Sequence, residues 1–440
     1  MKIIVVGAGH GGLVAGAYLA KAGHDVTVLE KSSERADLGH EWEDRFDFDL
    51  LAETVGVPVS DWPVDSWRFR GDTVFVSPSK RTFVKIKFTE QNRQKIMWRK
   101  PLICLLIDFA ERSGVKITYG EKVLGPKIAG RKVIGVSTEN NEYFADLVID
   151  AAGVFSPIRS NLPEEFLIEN LPKRGDLFYA YRAYFSKKTA EIPEEPFEVY
   201  LYHEREQGLS WLCTNDNSVD ILLGRIDPLT DDKVSEQLRL FKETHPWTGD
   251  EILCGGQFGF IPVRRPLPLM IADGYAAVGD SAFTTTPMNG MGIDLALRGG
   301  RLLAETVQKY GNASAETLWE YNKEFLIKFA GDAAKNAGLK AALLSMPADG
   351  VDFLFDEGVI QSSDLAGAGR NTDFSALLKK FVHGMKKPRY FFAVLNGLIK
   401  GAKATKLYKN PPKKFDLVSI HRWIGRIAAL DIFIRSPETK

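Results

Sequence analysis

The stretch MKIIVVGAGHGGLVAGAYLAKAGHDVTVLEK, residues 1–31, constrains this chain more than any other. Ile3 to Val6 are β-branched residues in a run too short for a helix, so they predict a strand. The turn Gly7-Ala8-Gly9-His10-Gly11-Gly12 follows, and small and apolar residues then recur at helical spacing to Ala20. A second strand, Val26 to Leu29, ends on Glu30. Gly7 permits the tight turn, Gly9 lets backbone approach a pyrophosphate, and Gly12 lets the helix pack on the strand. The free N–H groups of the helix start then face an anion, while an acid ending the second strand accepts ribose hydroxyls and disfavours a 2′-phosphate. The stretch predicts a site for FAD or NAD rather than NADP, with His10, Gly11 and Lys31 among its contacts.

Composition bounds the rest. The 440 residues are 45% hydrophobic and 26% charged, enough to bury a large core in two or three structural regions. A formal net charge of zero gives no global field for nucleic acid, so any charged partner surface is local. Cys104, Cys213 and Cys254 are too far apart for a disulfide framework or a zinc site, which points to a reducing cytoplasm and no metal. Lys2 and the uncharged run to Ala20 imitate a signal peptide, but the glycines and Glu30 fit the nucleotide motif better. No other stretch has the apolar length that a membrane span needs.

After Glu30 a polar loop leads to a predicted helix, Phe46 to Val55. Such a loop emerges at the carboxyl ends of the strands, where ligands gather, which makes His40 and Glu41 candidate acids and Trp42 a candidate pocket residue. Residues 67–88 alternate apolar and polar and predict a hairpin excursion from the nucleotide domain. Arg99 stands at the entrance of a helix from Leu102 to Arg112, and short segments between Glu121 and Phe144 predict a small meander. The strand Leu147 to Asp150 runs into Ala151, Ala152 and Gly153, small enough for a cofactor to come close. Residues 154–265 carry aromatic-rich alternating runs and one helix, Asp232 to Thr244, and predict a largely antiparallel substrate sheet. Tyr181, Trp211 and Phe258 are its candidate pocket walls. The chain returns with a short strand ending on Asp280 and a glycine-rich turn, TTTPMNGMGID, that opens a helix to about Tyr310.

Three separated groups of residues now stand in order: Gly7, Gly9, Gly12 and Glu30, then Arg99; Asp150 to Gly153 with Ser156 and Arg159; and Gly279-Asp280 with Pro287, Gly290 and Gly292. Together they resemble the FAD-dependent hydroxylase-fold superfamily, the p-hydroxybenzoate hydroxylase-like proteins, over roughly residues 1–310. Phe260 to Pro266 and Gly292 to Gly300 are similar to the geranylgeranyl reductase branch. The resemblance implies an α/β fold: a Rossmann-like FAD domain (1–66, 89–153 and 266–312), the 154–265 sheet domain, and a helical C-terminal region from 313 to 440. It also implies that Gly7, Gly9, Gly12 and Glu30 hold the ADP half of FAD, with Val123 beside the adenine and Arg99 near the phosphates. Ala152, Gly153 and Asp280 would take the middle of the cofactor, and Pro287, Gly290, Gly292 and Ile293 the flavin edge.

The implied activity is reduction of a carbon–carbon double bond in an apolar, isoprenoid- or lipid-like substrate by hydride from flavin N5. An FAD-dependent monooxygenase and a non-catalytic flavin or lipid carrier are the alternatives. Hydroxylases end the third strand in Asp-Gly, whereas this chain has Ala152-Gly153, so the electron donor is NAD(P)H or a ferredoxin-type protein. Leu209-Ser210-Trp211-Leu212-Cys213 keeps only the tryptophan of the aromatic-x-Trp-x-aromatic-Pro strand common in the reductases. Helical runs follow at Leu318 to Leu344, Phe374 to Met385 and Arg389 to Ala402. Between Lys379 and Arg426 the only acid is Asp416, and aromatics interleave with the bases, which suits either a capping subdomain with a solvated basic face or peripheral contact at the inner face of a membrane. Gly384, Gly397, Gly401 and Pro388 argue against one long helix there.

Overall fold

A computed structural model of the chain describes residues 1–90, 93–362, 384 and 386–434. β1 (Lys2–Val6), α1 (His10–Lys21) and β2 (Asp25–Leu29) form the expected N-terminal unit. There follow β3 (Glu43–Arg45), α2 (Phe48–Val55), β4 (Trp67–Arg70), β5 (Thr73–Val76), β6 (Phe83–Ile86), β7 (Gln94–Trp98), α3 (Arg99–Arg112) and β8 (Lys116–Thr118). The meander is β9 (Val123–Ala129), β10 (Lys132–Thr138) and β11 (Glu142–Phe144), and it leads into β12 (Leu147–Asp150). The region expected to bind substrate holds β13 (Leu177–Lys187), β14 (Phe197–Leu201), β15 (Gly208–Thr214), β16 (Val219–Arg225), α4 (Asp231–Thr244) and β17 (Thr248–Pro262). Then β18 (Ile271–Ala272), β19 (Tyr275–Ala277) and α5 (Ile293–Tyr310) close the nucleotide domain.

The nucleotide sheet runs β18-β19-β12-β1-β2-β8, parallel from β19 to β8. β1 and β12 are buried on both faces, which is why their sequences are unbroken apolar runs rather than alternating ones. The second sheet runs β17-β13-β16-β15-β14-β5-β6, antiparallel except where β14 meets β5. Its β13 positions Tyr181, Ala183 and Phe185 pack toward Phe241 of α4, whereas Ala180 lies with Trp42 on the side turned to the nucleotide domain.

The expected 67–88 hairpin is corrected. β5 and β6 do pair, but they extend the substrate sheet, while β4 joins β3 and β7 in a separate three-stranded sheet. Alternation marks a strand and leaves its partner open, because the pairing is decided by whichever edge is free to hydrogen-bond.

The C-terminal region consists of α6 (Ala315–Phe325), α7 (Gly331–Leu344), α8 (Ala348–Asp356), α9 (Pro388–Tyr408) and α10 (Leu417–Ala428), with a π-helical turn at Leu326–Ala330 joining α6 to α7. Of the expected breaks, the one at Pro388 stands, since α9 starts there, and those at Gly397 and Gly401 are corrected, since α9 runs through both. Its glycines serve packing: a Cβ on Gly397 would lie 2.6 Å from both Gly338 O and Ala342 Cβ, so α9 meets α7 backbone to backbone. The Phe374 to Met385 run, apart from Gly384, lies outside the described residues. No described helix is long and apolar enough to cross a membrane, and no group of His, Cys, Asp or Glu among the described residues is arranged to hold a metal.

Candidate cofactor and substrate site

Gly7 has φ +85°, and a Cβ there would sit 2.9 Å from the Ala151 carbonyl oxygen. A Cβ on Gly9 would sit 2.7 Å from the same atom, so the turn is pressed against the end of β12 and only glycine fits. Glu30 fixes this turn: its Oε2 accepts the Ala8 N–H at 2.7 Å and its Oε1 accepts the Ser32 N–H and Oγ–H, each at 2.9 Å. A carboxylate has lone pairs to spare beyond these three bonds for ribose hydroxyls. The Glu121 N–H bonds the Glu30 carbonyl at 2.8 Å, which brings buried Val123 to the same strand end, and Lys31 is exposed beside it.

No side chain caps α1 or α5. The two helices pack together where Gly11 meets the Ala296 backbone, so two first turns bring uncapped N–H groups to one cleft. At the start of α1, burial and then the Arg99 charge lower the His10 imidazole to about 4, so the ring is neutral. Its Nε2 is buried without a partner, an orphaned polar atom of the kind a bound cofactor satisfies. Asp280 enters from β19, accepting the Thr285 hydroxyl at 2.8 Å. Ser281 Oγ accepts the Gly153 N–H at 2.9 Å, and the Ala152 N–H reaches Asp150 at 3.1 Å, so the β12 and β19 ends are tied into one floor. Buried Pro287, then Gly290 with φ +66°, Gly292 and Ile293 form the turn into α5. This donor set, acid, two uncapped helix starts and one vacant ring nitrogen fit a dinucleotide cofactor.

Burial raises the Asp280 carboxyl, against the Thr285 bond and the Arg99 charge, which lower it. A raised folded value means that the acid favours the fold at low pH and that this contribution is lost as pH rises through it. Asp280→Asn is therefore expected to stabilise the cofactor-free protein at neutral pH, with the gain vanishing below the ordinary aspartate value of 3.8, and to weaken FAD binding. Thermal melts against pH and a flavin titration read the two effects separately.

His40 and Glu41 are placed otherwise than as free acids. Arg99 Nη1 donates to His40 Nδ1 at 3.2 Å, so the ring proton sits on Nε2, which donates to the Phe258 carbonyl at 3.2 Å. Burial and then Arg99 lower the His40 value, leaving the ring neutral. Glu41 accepts the Gly255 N–H and Lys100 Nζ, both at 3.1 Å, and the Gly255 bond leads the causes that lower its carboxyl. Both residues clasp the nucleotide loop to β17. Arg99 is itself committed, bidentate to Asp44 at 2.6 and 2.7 Å. Its charge also favours ionisation of Asp280.

The four expected pocket residues divide between the two faces of the substrate sheet. Trp42 and Trp211 share the inner face with Ala180, Leu222 and Ile261. Tyr181 packs on the α4 face and its ring meets Phe258 edge-on at 5.2 Å, so these two stand apart from Trp42. Sequence reasoning missed a charged layer beside the inner face: Glu43, Asp44, Arg45, Arg68, Arg70, Arg182 and Asp220. Its trace was legible in the short strands EDR and WRFR, where charge recurs at the spacing of one strand face.

Residues 5–48 match the NAD(P)-binding Rossmann-like domain. A digeranylgeranylglycerophospholipid reductase of Sulfolobus acidocaldarius is 23% identical over 289 residues, 63% of this chain and 64% of that protein. Its counterpart from Methanothrix thermoacetophila is 25% identical over 376 residues, 83% of this chain and 92% of that protein. The crystal structure of a geranylgeranyl bacteriochlorophyll reductase-like protein from Thermoplasma acidophilum superposes with a TM-score of 0.71 at 20% identity, covering 90% of this chain and 98% of that one. Cradle, sequence similarity and fold agree: the chain carries a Rossmann-like dinucleotide-binding domain of the kind that holds FAD, and it is similar to geranylgeranyl reductases.

Proposed function

We propose that this protein reduces a carbon–carbon double bond of an apolar, isoprenoid- or lipid-like substrate. The observation that carries this reading is the inner face of the substrate sheet, where Trp42, Ala180, Leu222, Trp211 and Ile261 make one apolar cluster against the glycine-rich turn. A Cβ on Gly290 would lie 3.3 Å from Ile261 Cγ2, so hydrocarbon abuts the turn assigned to the flavin edge at this position. The reductase names of the relatives support the same substrate class.

In this reading Gly7, Gly9, His10, Gly11, Gly12, Glu30, Lys31 and Val123 hold the adenosine diphosphate half of FAD. Ala152, Gly153 and Asp280 hold its middle, near the charge of Arg99, and Pro287, Gly290, Gly292 and Ile293 hold its ring edge. Bound, reduced FAD supplies a hydride at N5. The uncapped N–H groups of α5 favour negative charge at the ring edge, and the apolar cluster excludes water from the reacting face. His40 and Glu41 shut the rim, and the proton for the second carbon comes from a water held at that rim, outside the apolar cluster, rather than from either of them. The reductant is NAD(P)H or a ferredoxin-type protein, and the missing Asp-Gly acid favours the protein donor.

Photoreduced enzyme is expected to be reoxidised by a prenyl lipid without oxygen, giving a saturated product. Failure across a panel of prenyl lipids would defeat the proposal, and an oxygen-dependent hydroxylated product would return the chain to the monooxygenase alternative.

Contact with a membrane surface belongs to the same proposal. On α9, Phe392, Asn396, Ile399, Lys403 and Lys406 are exposed at helical spacing, opposite buried Tyr390, Gly397, Gly401, Ala404 and Tyr408. An exposed apolar stripe continued by lysines suits an anionic bilayer interface. Cosedimentation with phosphatidylglycerol vesicles is expected to fall with salt and to drop about tenfold in a Phe392→Ser, Ile399→Ser double variant.

A further inference from the structure

The three-stranded sheet of β3, β7 and β4 places Arg45 and Arg68 on either side of Ile96, with Arg70 two residues further along the same face. That face turns toward the inner face of the substrate sheet, where Arg182 donates to the Glu43 carbonyl at 2.7 Å. Four guanidinium groups therefore meet there, and the carboxylates divide unevenly. Glu43 binds Arg68 bidentately, with both bonds at 2.6 Å, and Asp220 binds Arg182 bidentately at 2.8 and 2.7 Å.

Arg45 and Arg70 make no ion pair among the described residues. Arg45 rests its Nε and Nη2 on the thioether of Met291, at 3.2 and 2.6 Å, a weak acceptor for a cation. The acid whose charge acts on it, Asp294, makes no ion pair with it and accepts the Asp47 N–H at 2.8 Å. Arg70 Nε is buried without a partner, and its guanidinium lies over the Phe197 ring at 4.5 Å and the Trp211 ring at 5.9 Å. Burial lowers both cations, the Arg70 charge lowers Arg45 further, and the Arg182 charge lowers Arg70. A structural role is satisfied differently in this protein. Arg159, also without a carboxylate, gives Nε, Nη1 and Nη2 to the carbonyls of Asn170, Ser281 and Val154.

Two cations with no ion-pair partner among the described residues, set against rings and a thioether, are costly unless a ligand supplies a directly bonded charge. Beside them Phe197, Val199 and Cys213 are buried, and Phe75, Leu209 and Trp211 are half-buried, forming a hydrocarbon wall on the same side of the sheet. Met291 belongs to the glycine-rich turn, so the charged end of this surface lies at the flavin end of the cleft.

Resting on the alkene-reductase reading, we infer that Arg45 and Arg70 form a receptor for an oxyanion, a carboxylate or phosphate, carried by the apolar substrate next to its reacting end. The ligand is thus an anionic amphiphile whose chain runs along Phe75, Leu209 and Trp211. A planar guanidinium pair matches either oxyanion.

The test is a binding measurement on the FAD-loaded protein, so it does not depend on turnover. Trp fluorescence would be titrated with oleate against oleyl alcohol, and with geranylgeranyl phosphate against geranylgeraniol. The anion of at least one pair is expected to bind about tenfold tighter than its alcohol, the effect of one charge-assisted bond. The pair that shows it identifies the oxyanion. Arg45→Met and Arg70→Met are each expected to erase that preference while alcohol binding persists, and Arg45→Lys to restore part of it. Equal binding of anion and alcohol in both pairs by the wild type would overturn the inference, as would a preference that survives both methionine variants. An anion preference without reoxidation of reduced flavin would leave this receptor standing and defeat the reductase reading alone.

Discussion

Asp220→Ala is expected to cost about 3–5 kcal/mol of folding stability, the usual penalty for stripping one member from a buried ion pair. The side chains of Arg182 and Asp220 are 3% and 0% exposed, so water cannot replace the lost carboxylate. The same carboxylate accepts the Trp211 indole N–H at 3.4 Å, and Arg182 in turn holds the Glu43 carbonyl, so one deletion loosens the contact between substrate sheet and nucleotide domain. The pair itself is a different matter: an Arg182→Met, Asp220→Leu double variant is expected to recover most of the loss, because hydrocarbon of similar volume needs no desolvation. Urea unfolding of both variants measures the two values. A loss below about 1 kcal/mol in Asp220→Ala would show that the pair is wetter than its burial states.

Gly12→Val is expected to abolish FAD binding. A Cβ at Gly12 would lie 2.5 Å from Ala151 Cβ and 2.8 Å from Val5 Cγ1, so even the first added carbon pushes α1 off the sheet. Both neighbours are parts of the floor on which the cofactor turn rests, and overpacking a rigid core costs about 1–3 kcal/mol before any ligand is lost. The purified variant should be colourless and should fail to take up added FAD. Gly16→Ala is the control, since a Cβ there would meet Val26 Cγ1 at 3.4 Å, an ordinary contact in the same helix. A yellow Gly12→Val protein would mean that the turn does not carry the cofactor.

The cofactor cradle was the readable part of this chain. Gly7, Gly9, Gly12 and Glu30 act through backbone geometry within one βαβ unit, and local geometry is written in local residues. β1 and β12 were likewise legible because strands buried on both faces need unbroken apolar runs. His40 and Glu41 marked a ligand-facing loop, yet their partners, Phe258 and Gly255, are more than two hundred residues away. Nothing in the loop itself says that its polar groups are already spent.

By itself, the order of residues determined a nucleotide fold, a substrate sheet and a helical tail, since each follows from periodicity, glycine placement or an apolar run. Only the tertiary structure decided which sheet would take β5 and β6, which face of that sheet would carry each aromatic residue, and which arginines would be left without a carboxylate. Strand partners and charge balance are sums over segments far apart in the chain, and they acquire values only when those segments are packed against one another.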